Sequence, residues 1–285
     1  MPDPNFSLCK AVVADPSPLI RQGVRNTLYS LGFREVRDTA SYVALSEDCK
    51  AEVDLIIANA EVEGGDTSFL IRNLRAGKLG PDPFVVVITM LTNGDEAHIR
   101  KVADSGSDGL LLIPFAPDQL MQRVRMLTER RKPFVVTHNY LGPDRRKEVR
   151  TGGAGNAALF EVPNPLSARA KGAGGRYARL REEARQRLLH ERVSRIAGGI
   201  EWECQSLYVA VRDGQKVPED IVTRLFRVES NCEELVNARD LHRAGEVAEL
   251  LGREVGRIKN GYSQASFRDY EGLYNHAQRL ARELR

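Results

Sequence analysis

Short apolar runs alternate with amphipathic stretches along the first 130 or so residues. Residues 11–14 predict a strand, and 18–31 predict a helix that turns Leu19, Ile20, Val24 and Leu28 inward, with Pro18 in the first turn, where a missing N–H does no harm. A strand around Val36, a helix near 42–49, a strand over 53–58 and a helix over 68–78 follow. The run 84–89 is continuously apolar, as in a strand buried on both faces. A helix over 95–105, a strand over 110–113 and a helix over 118–131 complete five βα units. That order predicts a doubly wound, five-stranded parallel sheet with helices on both faces.

From Arg176 the apolar period changes to three or four residues. One stripe runs through Leu180, Ala184, Leu188, Val193, Ile196, Ile200, Cys204, Leu207 and Val211, with Gly198-Gly199 placed to kink or divide it. Residues 212–215 predict a turn, and Pro218 suits the start of the next helix. Ile221, Leu225, Val228, Cys232 and Leu235 form a heptad seam. Val247, Leu250, Leu251, Val255 and Ile258 make a third stripe, and Phe267, Tyr270, Leu273, Tyr274, Ala277, Leu280 and Leu284 a fourth. Four amphipathic helices predict an antiparallel helical bundle, whose seam offers a homodimer as an alternative.

Between these halves, residues 132–175 contain four prolines and two Gly/Ala stretches, 151–158 and 171–175. The composition predicts a flexible linker. Within it stands the string Tyr140-Leu141-Gly142-Pro143-Asp144-Arg145-Arg146, in which Gly-Pro-Asp reads as a turn, and Phe134, Val136 and Tyr140 are able to fold back onto a domain. The expected organisation is therefore residues 1–131, a basic linker 132–175, and a bundle 176–285.

The chain has 285 residues, 42% hydrophobic and 28% charged, with a net charge of +3 held mostly by residues 132–176. No apolar run reaches the roughly 18 residues of a membrane span. The N-terminus lacks a basic stretch followed by an apolar core, so a cytoplasmic location is expected. The four cysteines form no CxxC pair and read as free thiols of a reducing compartment. The histidines have no metal-ligand spacing, and no metal or cofactor is expected.

The predicted strands end at Asp15, Asn59, Thr89 and the Ile113-Pro114 step, where ligands of such sheets bind. With Pro114-Phe115, Gly64 and Asp66, this spacing resembles the receiver-domain family of bacterial response regulators over about residues 8–131. The resemblance implies two acids for Mg²⁺ at the end of the first strand, a phosphate-accepting aspartate on the third, a Thr or Ser on the fourth and a Lys-Pro step on the fifth. Here the acid pair is Ala14-Asp15, the acceptor position is Asn59, the hydroxyl is Thr89, and the lysine position is Ile113. Leu110 stands at the aromatic switch position.

An amide oxygen is far less nucleophilic than a carboxylate, Mg²⁺ needs hard anionic oxygens, and Ile113 offers no charge to a phosphate. The site is therefore expected to have lost phosphorylation. Glu61 and Asp66 lie in the following loop and not at the strand end. Asp15 is expected to cap the helix near Pro18, or at most to remain as a residual cation ligand. The resemblance implies a docking face over residues 97–126, and hence a constitutive module for a signalling-protein partner.

The bundle carries two further possibilities. The string around His190 resembles sensor-kinase dimerisation helices, and His242 a histidine-phosphotransfer site. Residues 246–262, with Lys259, resemble a helix-turn-helix that would bind DNA, although Arg253 falls where that motif buries an aliphatic residue. The leading expectation is binding and not catalysis.

Overall fold

Uninterrupted aliphatic runs build the centre of the N-terminal half. Strands β1 (Lys10–Ala14), β2 (Glu35–Thr39), β3 (Leu55–Asn59), β6 (Val86–Thr92) and β7 (Gly109–Ile113) form one parallel sheet in the order β2-β1-β3-β6-β7. A hairpin of β4 (Glu61–Val62) and β5 (Gly65–Asp66) follows β3. The computed structural model describes residues 4–92, 96–137, 140–145, 159–214, 220–237 and 242–284. The chain falls into two units, the first reaching Val136 and including Tyr140–Leu188, the second holding Leu189–Arg285.

Five helices flank the sheet: α1 (Pro18–Ser30), α2 (Tyr42–Cys49), α3 (Thr67–Arg75), α4 (Glu96–Ala103) and α5 (Pro117–Glu129). Ser17 caps α1 through a hydroxyl that accepts from the Ile20 N–H, and Pro18 opens it, as the sequence predicts. Val24 and Leu28 are buried, whereas Leu19, expected inward, is 84% exposed. It stands in the first turn, beyond the reach of the core.

The segment expected to be a flexible linker is, where described, part of the first unit apart from Thr137. Strands β8 (Phe134–Val136), β9 (Leu141–Pro143) and β10 (Leu159–Phe160) make a second, antiparallel sheet, followed by helix α6 (Pro165–Ala170). Phe134, Val136, Leu141 and Leu188 form a cluster with Phe84, while Leu166 and Ala170 join the core on the α1–α5 side. A few large apolar residues anchor the segment despite its average composition. The stretch 151–158, Arg146 and Lys147 lie outside the described residues.

Charge holds this extension as well. Asp108, just before β7, accepts from the guanidinium groups of Arg75 (2.8 Å) and Arg131 (2.7 Å), and from the Val87 N–H (2.8 Å). Arg75 also donates to the carbonyls of Gly106, Pro83 and Val85, and Arg131 to that of Phe84. The Phe134 ring lies 5.2 Å from the Arg75 guanidinium and 4.9 Å from that of Arg131, within the range of a cation–π contact. All three charged side chains are buried. Burial pulls the Arg75 pKa down, and Asp108 opposes the shift.

The described part of the Tyr140–Arg146 string, residues 140–145, has a structural role. The Tyr140 hydroxyl donates to the Pro143 carbonyl (2.8 Å), and Arg145 sits over the Tyr140 ring and pairs with Asp104. Gly142 lies against Gly106, whose φ is +99°. A Cβ on Gly142 would meet the Gly106 Cα at 2.8 Å and the Tyr140 Oη at 2.7 Å. Gly142→Ala is therefore expected to destabilise the first unit by about 1–3 kcal/mol, since backbone cannot move aside cheaply; a thermal melt at neutral pH checks this.

Among the described residues beyond Leu188 the secondary structure is helical. Helix α7 (Gly174–Arg212) runs unbroken through Gly198-Gly199, and is followed by α8 (Ile221–Val236), α9 (His242–Asn260) and α10 (Phe267–Glu283). Gln215 and Pro218 lie outside the described residues. The heptad residues Ile221, Leu225, Val228, Cys232 and Leu235 are buried together with Val193–Leu207, Val247–Ile258 and Tyr270–Leu284 side chains in one cluster. The seam residues are thus packed within the bundle of a single chain.

The helix-turn-helix expected near 246–262 does not form, because α9 is continuous through that region. Gly252 and Gly256 sit where α8 approaches: a Cβ at Gly252 would lie 3.4 Å from the Cys232 Cβ, and one at Gly256 3.0 Å from Glu229 Oε1. Lys259 pairs with Glu229 of α8.

At the start of α10 the Ser266 N–H and hydroxyl both donate to Asp269 (2.7 Å each), which also takes Arg257 at 2.6 Å. These bonds hold the Asp269 pKa down at about 2. A depressed carboxylate contributes stability above its unfolded value of about 3.9, and the contribution is lost as pH falls towards 2. Asp269→Asn is expected to flatten the stability–pH curve of the chain in that window; an unchanged slope would show that the cap contributes nothing.

No helix among the described residues is long and apolar enough to cross a membrane. All four cysteines are buried and free, and burial pushes the thiols of Cys9, Cys49 and Cys232 up to about 12.

Candidate functional site

The crevice at the carboxyl ends of the strands brings Asp15 and Asn59 together. Asn59 is the last residue of β3, and its Nδ2 donates to Asp15 Oδ2 at 2.9 Å. The other oxygen, Asp15 Oδ1, accepts from the Ser17 N–H at 2.8 Å. Asn59 Oδ1 accepts from the Glu61 N–H at 3.2 Å. Asp15 is 1% exposed, so both carboxylate oxygens are buried and both have a donor. The expected helix-capping role of Asp15 becomes a turn-closing one, with Ser17 as the cap proper.

Ile113, at the end of β7, packs with Phe115 against the α1–α5 core. It places no donor at the crevice. The Ile113-Pro114 peptide is cis. Leu110 is half-buried beside Ile99, in a small cluster around Ala60, Leu91 and Val102.

Thr89 is not at the strand end. It is fully buried, aligned with Ala58 on one side and Leu110 on the other, and its hydroxyl lies 2.5 Å from that of Ser107. The strand continues through the buried Met90 and Leu91 to Thr92, which is exposed and aligned with Ile113. Thr92 is therefore the hydroxyl at the crevice, three residues beyond the one expected. The signal was present: Thr92 is the first polar residue after a run that Thr89 interrupts without ending.

Two cations near the crevice escaped the sequence reading. Arg21 of α1 donates to the Asp15 carbonyl (2.7 Å) and to Asp38 (3.0 Å), which fixes the loop after β1. Lys101 of α4 pairs with Asp66 at 2.6 Å. Asp66 also accepts from the Ser68 N–H as the cap of α3, so its carboxylate is engaged and not poised as a substitute acceptor.

Mg²⁺ does not fit these residues. Among the described residues Asp15 is the one carboxylate bonded to Asn59, and both its oxygens already accept N–H donors. An amide that donates its N–H to Asp15 presents no anionic oxygen. Among the described residues no group of three or more His, Cys, Asp or Glu is placed to hold a metal ion.

A five-stranded 2-1-3-6-7 sheet with its crevice at the carboxyl ends frames these residues, and the family model of the response regulator receiver domain matches residues 11–125. Residues 11–125 are a receiver domain. Among relatives, the phosphate regulon transcriptional regulatory protein PhoB of Escherichia coli is 28% identical over 125 residues, 44% of this chain and 53% of PhoB. The chemotaxis protein CheY1 of Helicobacter pylori is 24% identical over 120 residues, 41% of this chain and 95% of CheY1. The solved response regulator DrrB of Thermotoga maritima is 20% identical, with 45% of this chain and 56% of that chain covered and a TM-score of 0.39. The chain thus spans about half the length of PhoB. The family match ends at Arg125.

Of the remaining candidate residues, His190 is exposed on α7. His242 opens α9, and its side chain lies outside the described residues.

Proposed function

We propose that this is a cytoplasmic bacterial signalling protein whose receiver domain is a pseudo-receiver, docking a protein partner without being phosphorylated. The observation that carries this reading is the Asn59–Asp15 hydrogen bond. The amide fills the acceptor position and ties down the one carboxylate beside it, so the crevice is held together without metal or phosphate. Ile113, packed into apolar core, supports the same reading, because a phosphate at the crevice would find no ammonium on β7.

The expected docking face, residues 97–126, exposes Leu112 (51%) on the edge strand β7 and Met126 on α5. Exposed apolar side chains on an edge strand suit protein contact. The reading predicts that full-length protein captures the same partners with and without Mg²⁺ and a small-molecule phosphodonor, and that Leu112→Glu loses them in both conditions. Capture that depends on the phosphodonor contradicts it.

A further inference from the structure

The helical unit carries an imidazole held by a carboxylate, and sequence spacing gave no hint of it. His276 of α10 lies 2.9 Å through Nδ1 from Glu254 Oε2 of α9, and both side chains are about 30% exposed. Glu254 is an acceptor, so the bond assigns the proton to Nδ1 and the lone pair to Nε2. No described group bonds Nε2, and it is absent from the buried polar atoms that lack a partner, which leaves it open to solvent.

The surroundings favour a small anion at that nitrogen. Gly272 lies one turn before His276 on the same helix face, and a Cβ there would meet nothing within 4 Å. Arg279, three residues after His276, is exposed and has no ion-pair partner among the described residues. The neighbouring rung, Arg257–Asp269, is closed on itself at 2.6 Å. By contrast, His190 is exposed without a carboxylate to orient it.

We propose that His276 is a phosphoryl acceptor, with Glu254 as its positioning residue and an acyl phosphate on a partner protein as the donor. In the transfer the Nε2 lone pair forms the N–P bond, the acyl O–P bond breaks, and the donor carboxylate leaves with its electrons. The Nδ1 proton stays in place. The ring becomes positive, and the Glu254 carboxylate stabilises that charge where it develops. This inference concerns the second unit and is independent of the docking role given to the receiver domain.

The test uses the full chain with phosphoramidate as the probe; ammonia leaves as the N–P bond to histidine forms. The account predicts one acid-labile phosphoryl group, mapped by tandem mass spectrometry to His276, at a rate about tenfold or more above that of His190 in the same molecule. His276→Asn abolishes that label, and Glu254→Gln, which keeps an acceptor but removes the charge, slows it by a similar factor and shortens the lifetime of the product. Circular dichroism of both variants confirms the bundle. Labelling of His276 no faster than His190, or a Glu254→Gln rate equal to wild type, overturns the proposal. Neither result bears on Asn59.

Discussion

Asp108→Ala is expected to lower the stability of the first unit by about 3–5 kcal/mol, the effect of stripping one partner from a buried ion network. Two guanidinium groups would remain in the interior with no carboxylate. Arg75 keeps three backbone carbonyls and Arg131 keeps that of Phe84, so hydrogen bonding survives while charge compensation is lost. Removing the carboxylate also leaves the Val87 N–H without its 2.8 Å acceptor. Domains of this size are stable by only about 5–15 kcal/mol, so the variant should unfold at far lower urea. A midpoint within about 0.5 kcal/mol of wild type would show that the Arg75–Asp108–Arg131 network is not what holds the extension in place. Asp108→Asn should fall between the two, since the amide restores one acceptor but no charge.

Asn59→Asp is expected to destabilise the crevice and to make it responsive to Mg²⁺. The substitution replaces a 2.9 Å hydrogen bond to Asp15 with two carboxylates at that separation. The lost bond is worth about 1 kcal/mol, and two like charges about 4 Å apart at an effective dielectric of about 20 repel by roughly 4 kcal/mol. Proton uptake by one of the pair relieves part of this at neutral pH. The melting temperature should therefore drop at low Mg²⁺ and recover as Mg²⁺ is raised, whereas wild type should be indifferent to Mg²⁺. A wild-type melting temperature that climbs with Mg²⁺ would mean that the Asp15–Asn59 pair accepts the ion as it stands.

The central chemistry of the crevice was legible because strand ends are fixed by local pattern. The runs 11–14 and 53–58 stop at Asp15 and Asn59, and the structure brings those two side chains into contact. Thr89 was misplaced for the same kind of reason. A single polar residue inside a buried strand looks like an end, and only the pairing of Thr92 with Ile113 shows where the strand stops. The ordering of residues 134–170 was hidden because its anchors are long-range. Arg131 meets Asp108 across 23 residues, and Arg169 meets Asp54 across 115; no window of composition reports such pairs.

Helix α9 shows the converse error. Gly252 and Gly256 weaken a helix in isolation, but they allow α8 to come close, and tertiary packing settles the matter. The His276–Glu254 pair, 22 residues apart on two helices, lies beyond any spacing rule.

The most direct measurement of the central claim is the intact mass of the full-length protein after incubation with a small-molecule acyl phosphate and Mg²⁺. Such donors label carboxylates as well as imidazoles, and mild alkali releases an aspartyl phosphate while leaving phosphohistidine intact. The account predicts no alkali-labile mass increase in wild type. A stable aspartyl phosphate on the receiver domain, at Asp15, Asp66 or any other acid of the crevice, would contradict it.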